Sequence, residues 1–257
     1  MSTSNLKPLT KLILTRISRG LPTDWLKLSR EYELSEEFII QHQDKVSWVQ
    51  ISAHQQLSER FIAQHWDRLN GAALSRSQQL SMAFIIQHLG RLDIISLSWK
   101  QRLSEDFIDQ HQDQVDWQGI SWQEELLSEE FIDRHQDQLN WRLISQTQKL
   151  SERFIDQHHD QVDWSNISQH QRLSEEFIIQ HQDRVDWWYI SKFQKLSEDF
   201  IDQHQDRVVW QMFDSSQRFS TDFLLKHFDK FRLENLKKHY PAFYAQYHLQ
   251  LVEAMTG

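Results

Sequence analysis

Residues 173–195 read LSEEFIIQHQDRVDWWYISKFQK, and residues 196–218 read LSEDFIDQHQDRVVWQMFDSSQR. The two lines superpose without a gap, and the same line returns along nearly all of the 257-residue chain. It begins at Leu34, Leu57, Leu80, Leu103, Leu127, Leu150, Leu173 and Leu196, in steps of 23 residues except for one step of 24. A weaker copy precedes these, keeping Asp24, Trp25, Leu28 and Ser29, and another follows at Phe219, keeping Ser220, Phe223, His227 and Asp229. A short unit copied end to end buries its apolar side on its neighbours, and degenerate end copies shield the terminal faces from water.

Numbered from its leucine, each repeat reads as two helices. Ser at position 2 (Ser35, Ser58, Ser104, Ser151) is a good N-cap, and acids such as Glu36 and Glu37 complement the positive helix end behind it. Positions 1, 5, 6, 9 and 13 then share one side of a 3.6-residue wheel, an apolar stripe of Leu, Phe, Ile, His and Val or Leu. A second cap stands at position 14 (Ser47, Asp116, Asn140, Asp163, Asp186), followed by Trp and, three residues on, Ile. The pattern predicts an all-α fold: a right-handed α-solenoid of about ten 23-residue units, each a longer helix plus a short α or 3-10 helix, with capping helices at both ends. Residues 1–33 form an N-terminal cap and first degenerate repeat, 34–218 eight regular repeats, and 219–257 the last repeat and a C-terminal capping helix.

The alternation of a longer and a very short helix at this period resembles the leucine-rich repeat variant solenoids, in which an α-helix alternates with a 3-10 helix. The wording L-S-E-x-F-I, V-D-W-x-x-I-S and Q also resembles uncharacterised tandem-repeat proteins of large DNA viruses and phages. The likeness covers roughly residues 20–235 and departs from the first class in placing Trp and His where leucines are expected. What it implies is a fold, with no catalytic residue.

Gly (5) and Pro (3) are scarce and no linker is visible. The absence of Cys removes disulfides and thiol chemistry and fits a reducing compartment. The N-terminal apolar run is only Leu12, Ile13 and Leu14, too short for a secretion signal, and nothing approaches a membrane span, so a soluble cytoplasmic protein is expected.

Nine of the 14 histidines fall at position 9: His42, His65, His88, His111, His135, His158, His181, His204 and His227. They suggest metal binding, but a ligand atom must stand about 2 Å from its ion, whereas equivalent residues of neighbouring repeats stand about 8–10 Å apart. The ladder therefore reads as structural, with buried neutral imidazoles bonded to backbone groups of the adjoining turn. Ser and His of one repeat are seven residues apart, roughly 10 Å along a helix, beyond nucleophile–base reach. No enzyme, cofactor or metal is expected.

Subtracting what the repeat demands leaves the functional candidates. Seven tryptophans (Trp25, Trp48, Trp117, Trp141, Trp164, Trp187, Trp210) repeat at position 15 and read as core; Trp66, Trp99, Trp122 and Trp188, with Tyr189 and Phe193, occupy variable positions and read as exposed anchors. The repeat at Leu80 is irregular, with Met82, Ala83, Ile86, Gly90, Ile94 and Ile95, and suggests an apolar patch continued by Ile40 and Ala63. Between Leu103 and Asn140 stand eleven acids and one base, Arg134, a charge of −10 against −9 for the whole chain. Glu105, Asp109, Glu124, Glu125, Glu129, Glu130 and Asp133 lead this band. The expected function is a non-catalytic protein–protein interaction scaffold whose acids steer a basic protein partner. A nucleic-acid mimic that inhibits a DNA- or RNA-binding protein is the first alternative. Direct nucleic-acid binding is the second, through bases at positions 12 (Arg68, Arg91, Arg184, Arg207) and 23 (Arg102, Lys149, Arg172, Lys195, Arg218), a track that the acidic middle interrupts.

Overall fold

A computed structural model of the protein describes residues 19–20, 22–124, 127–213 and 217–247. Among the described residues every regular element is a helix, and the helices alternate as the repeat dictates, an α-solenoid. The chain forms two compact units, Met1–Gln123 and Glu124–Gly257. The division falls inside the single 24-residue repeat.

In the first unit the second helices of successive repeats are Trp25–Glu31, Trp48–His54, Gly71–Ser77, Ile94–Lys100 and Trp117–Trp122, each packed on the next. The first helices, Glu36–Gln41, Glu59–Gln64, Met82–His88 and Glu105–Gln110, lie in the looser row. In the second unit the first helices are Glu129–Arg134, Glu152–Gln157, Glu175–Gln180, Glu198–Gln203 and Thr221–Lys226. The tight row there runs Trp141–Thr147, Trp164–His170, Trp187–Phe193 and the 3-10 turn Trp210–Met212, and Leu233–His239 is the second helix of the last, degenerate repeat.

Helices of six or seven residues do not persist alone in water, so caps and packing must hold them. The Ser hydroxyl at position 2 accepts the Phe N–H three residues on in every described copy, from Ser35 to Ser220. At position 14, Asp24, Asn70, Asp116, Asn140, Asp163 and Asp186 cap the second helix in the same way, whereas Ser47 makes no such bond.

The lengths depart from the expected order: the first helix is usually six residues and the second usually seven. His at position 9 ends the first helix, with φ of −109° to −123° and ψ of 21° to 29° at its C-cap. A turn then replaces the helix, closed by bonds such as Val46 N–H to His42 O at 3.0 Å and Val162 N–H to His158 O at 3.1 Å. Positions 9 and 13 still share the apolar side, which is why the wheel reads as one continuous helix.

Three polar ladders join one repeat to the next. Ser at position 19 is fully buried in Ser52, Ser75, Ser98, Ser145, Ser168 and Ser191. Its hydroxyl donates to the carbonyl four residues back, as from Ser168 to Trp164, and accepts the backbone N–H at position 14 of the following repeat, as from Asp186 at 2.9 Å. Gln two residues before the next repeat is also buried in Gln55, Gln78, Gln101, Gln148, Gln171, Gln194 and Gln217. Gln171 Nε2 donates to the carbonyls of Gln148 (2.8 Å) and Ser145 (3.1 Å), while its Oε1 accepts the Leu150 N–H at 3.0 Å. Glu at position 3 reaches forward to the next N-cap: Glu152 Oε1 accepts the Ser174 N–H at 2.5 Å and Oε2 the Ser174 hydroxyl at 3.1 Å. A buried backbone group left unpaired costs about 1–3 kcal/mol, so these ladders fix the register of the stack. In the first unit Gln101 Nε2 donates to the Gln78 carbonyl and Gln123 Nε2 to the Ser98 carbonyl at 2.6 Å, and in the second Gln148 Oε1 accepts the Leu127 N–H at 3.0 Å. The residue two before Leu127 is Glu125, outside the described residues.

Candidate interaction surface

The histidine ladder belongs to the core. His158 stacks against Phe154 (4.4 Å between ring centroids) and against Trp141 of the preceding repeat (4.9 Å), and the same triplet recurs as Trp25, Phe38 and His42, and as Trp164, Phe177 and His181. Where backbone partners are expected for the imidazole, the second unit supplies side chains. His158 Nδ1 stands 2.8 Å from Gln161 Oε1 and Nε2 stands 3.2 Å from Asp133 of the repeat before; His181 Nε2 stands 3.1 Å from Asp156, and His227 meets Asp202 in the same way. Lys226 first, then His227, hold the Asp202 carboxyl below its ordinary 3.8. Burial, aided by Lys45, pushes His42 below its ordinary 6.5. Among the described residues no three His, Asp or Glu side chains converge as a metal site requires.

The acidic candidates separate into engaged and free groups. Glu129 holds the Ser151 N–H and hydroxyl, and Asp133 faces His158, so both belong to the junctions between repeats. Glu105 and Asp109 are half-buried and have partners of their own. Glu124 and Glu130 are exposed, and Glu125 lies outside the described residues. Free acids stand at two positions of the repeat: position 4, with Glu37 and Asp106 in the first unit and Glu130, Glu176, Asp199 and Asp222 in the second, and position 11, with Asp44, Asp67, Asp113, Asp137 and Asp206. All are exposed, and none makes an ion pair or side-chain hydrogen bond. The sequence band joined both groups because position 3 and position 4 carry the same residue types.

Trp66 is a correction. It is half-buried rather than a surface anchor, and its ring stacks on Phe84 (6.0 Å) and His88 (5.2 Å), the place taken by the position-15 tryptophan elsewhere. Position 15 of that repeat is Gly71, and a Cβ there would stand 1.9 Å from the Arg91 carbonyl oxygen. The missing indole and the displaced one are two halves of a single exchange. Trp99 (37% exposed) lies against Gly119 of the next repeat, where a Cβ would approach its ring to 2.9 Å, and Trp122 is half exposed.

Trp188, Tyr189 and Phe193 do come together. Trp188 and Tyr189 meet edge-on at 4.9 Å, Tyr189 stacks on Phe193 at 6.1 Å, and Lys192 Nζ lies 4.5 Å above Trp188 and 5.0 Å from Phe193. The first unit carries an apolar column that sequence reasoning missed: Leu26, Val49 and Ile95 are more than half exposed at position 16 of successive repeats, with Ala72 between them. Its signal was an apolar residue at one variable position four times running. Ile86 is exposed as expected, beside an exposed Ala63 and a half-buried Ile40 at the same repeat position.

The two basic columns also part. At position 12, Arg68 and Arg91 cover the Trp48 and Trp66 rings, Arg184 pairs with Asp160 at 2.9 Å, and Arg207 pairs with Asp183 at 3.1 Å. At position 23 the side chains of Arg102, Lys149, Arg172, Lys195 and Arg218 are exposed and make no such contact.

No family model, no characterised protein and no solved structure matches this chain. Among the described residues no helix is long and apolar enough to cross a membrane.

Proposed function

We propose that the protein is a non-catalytic scaffold that binds a protein partner with a basic surface. The observation that carries this reading is the set of free carboxylates at position 4, interrupted by Arg60, Ala83 and Arg153. Serines, glutamines, position-3 glutamates and several aspartates are engaged in holding repeats together, whereas Glu130, Glu176 and Asp199 serve no contact within the fold. Free acids at one position of the repeat create a field that speeds the approach of a basic surface and selects against an acidic one. The exposed Leu26, Val49 and Ile95 and the Trp188 group supply apolar area of the kind that anchors a partner once it has arrived.

The test is the partner co-purified from the native host and identified by mass spectrometry, then measured against charge-reversed protein. Glu130→Lys, Glu176→Lys and Asp199→Lys together should slow association about tenfold or more at low salt and little at high salt. Unchanged association, or a partner with an acidic contact surface, would count against the reading.

A further inference from the structure

The second unit carries a row of cations that its own fold leaves unused. Lys149, Arg172, Lys195 and Arg218 stand at position 23 of successive repeats, all exposed, and none takes part in an ion pair, hydrogen bond or ring contact through its side chain. Each follows a glutamine of the buried ladder. Gln148, Gln171 and Gln194 have extended backbones, with φ of −85° to −91° and ψ of 150° to 154°, so the next side chain points away from the buried amide. Gln194 Nε2 donates to the Gln171 carbonyl at 2.7 Å, and Gln217 bonds Gln194 in turn. The ladder that fixes successive backbones therefore also fixes the cations in line, one per repeat. With packed helices about 8–10 Å apart, the four span about 25–30 Å.

The surface beside this row carries no acid on its helices, a property it shares with most second helices of the first unit. The helices Trp141–Thr147, Trp164–His170 and Trp187–Phe193 contain no Asp or Glu, and they expose Arg142, Gln146, Ser165, His170, Trp188 and Phe193. Phe193 lies two residues before Lys195, which puts the aromatic group next to the row. The acids Glu176, Asp199 and Asp222 stand on the first helices and make no ion pair with these cations.

We propose that this edge of the second unit binds single-stranded nucleic acid, with phosphates on the position-23 cations and bases stacked on Trp188 and Phe193. This goes beyond the scaffold reading and is independent of it, since it uses the opposite charge. Partly exposed rings beside a line of cations, with Lys192 already over both of them, are what unpaired bases on a phosphate backbone require. A duplex keeps its bases stacked inside and would bring a second charged strand toward the acidic first helices. A sulfated polysaccharide or an acidic peptide would use the cations and leave the rings in water.

Fluorescence anisotropy of the full chain with a labelled oligothymidylate of about 20 nucleotides tests this. Four phosphate contacts give a slope of about −3 for log affinity against log salt concentration. Lys149→Gln, Arg172→Gln, Lys195→Gln and Arg218→Gln together should abolish binding, with an unchanged melting curve showing that the fold is intact. Trp188→Ala should weaken binding about tenfold without changing the salt slope. Absence of binding at about 20 mM salt overturns the proposal, as does wild-type affinity in the fourfold variant. Capture of heparin or polyglutamate by a chain that ignores the oligonucleotide overturns it equally.

Discussion

The same histidine ladder meets different neighbours in the two units. In the second, position 7 of the preceding repeat is a carboxylate at three junctions: Asp133 faces His158, Asp156 faces His181 and Asp202 faces His227. In the first, that position is Ile40, Ala63 and Ile86, followed by His65, His88 and His111. The packing of Phe on His is alike in both, at 4.4–4.7 Å. Shape is therefore what the repeat demands at position 9, and the charge around it is left to vary. The first unit lacks the position-15 indole at Gly71, where Trp66 supplies another ring, and at Ile94, whereas the second keeps it in all four regular repeats.

The largest expected effect lies at that exchange. Gly71→Ala should destabilise the first unit by about 2–3 kcal/mol in urea denaturation, although alanine is the better helix former, because the Arg91 carbonyl occupies the Cβ position. A neutral or stabilising result would show that the close approach relaxes freely.

Acid should separate the units next. The Asp202 carboxyl is held below its ordinary 3.8, so on acidification the unfolded chain takes up this proton first. Its contribution is complete above that ordinary value and disappears as pH falls through the lower folded value. Asp202→Asn should accordingly cost about 0.5–1 kcal/mol at neutral pH and nothing in strong acid. Equal loss at both extremes would make its role steric.

His42 acts in the same direction, in a higher pH window. The unfolded chain accepts its proton near 6.5 while burial makes the folded chain resist, so stability falls as pH drops through 6.5 and levels off once the folded form protonates too. His42→Phe should flatten that part of the pH profile of thermal melting; an unaltered profile would assign the acid sensitivity elsewhere.

The smallest effect is expected from giving the first unit a carboxylate of the second. Ile86 is 62% exposed, so Ile86→Asp removes little packing. It should stabilise the chain by about 0.5 kcal/mol in urea denaturation, by placing a carboxylate before His111 as Asp133 stands before His158. The comparison fails if the variant is no more stable than the parent.

The caps and the apolar stripe were legible because each depends on residues close in sequence. Ser35 caps Phe38 three residues on, and the wheel shows Leu, Phe, Ile and Val on one side. The glutamine and position-19 serine ladders were visible as letters and silent as bonds, since Gln171 reaches back 23 residues to Gln148 and Asp186 reaches Ser168 across 18. Position 3 and position 4 acids look alike in a charge count, yet Glu129 is bound to Ser151 and Glu130 is free. Likewise Arg184 and Arg172 are the same residue type 12 positions apart, one paired with Asp160 and the other open to solvent.

What the sequence alone determined is the repeat: its period, its caps, its apolar side and the place where one extra residue breaks the count. These follow from local geometry, because a helix of six or seven residues is specified by the residues within it and at its ends. Tertiary structure decided which polar groups remain available for a partner. A carboxylate or guanidinium is engaged or free according to what the neighbouring repeat presents to it, and that neighbour lies about 20 or more residues away along the chain.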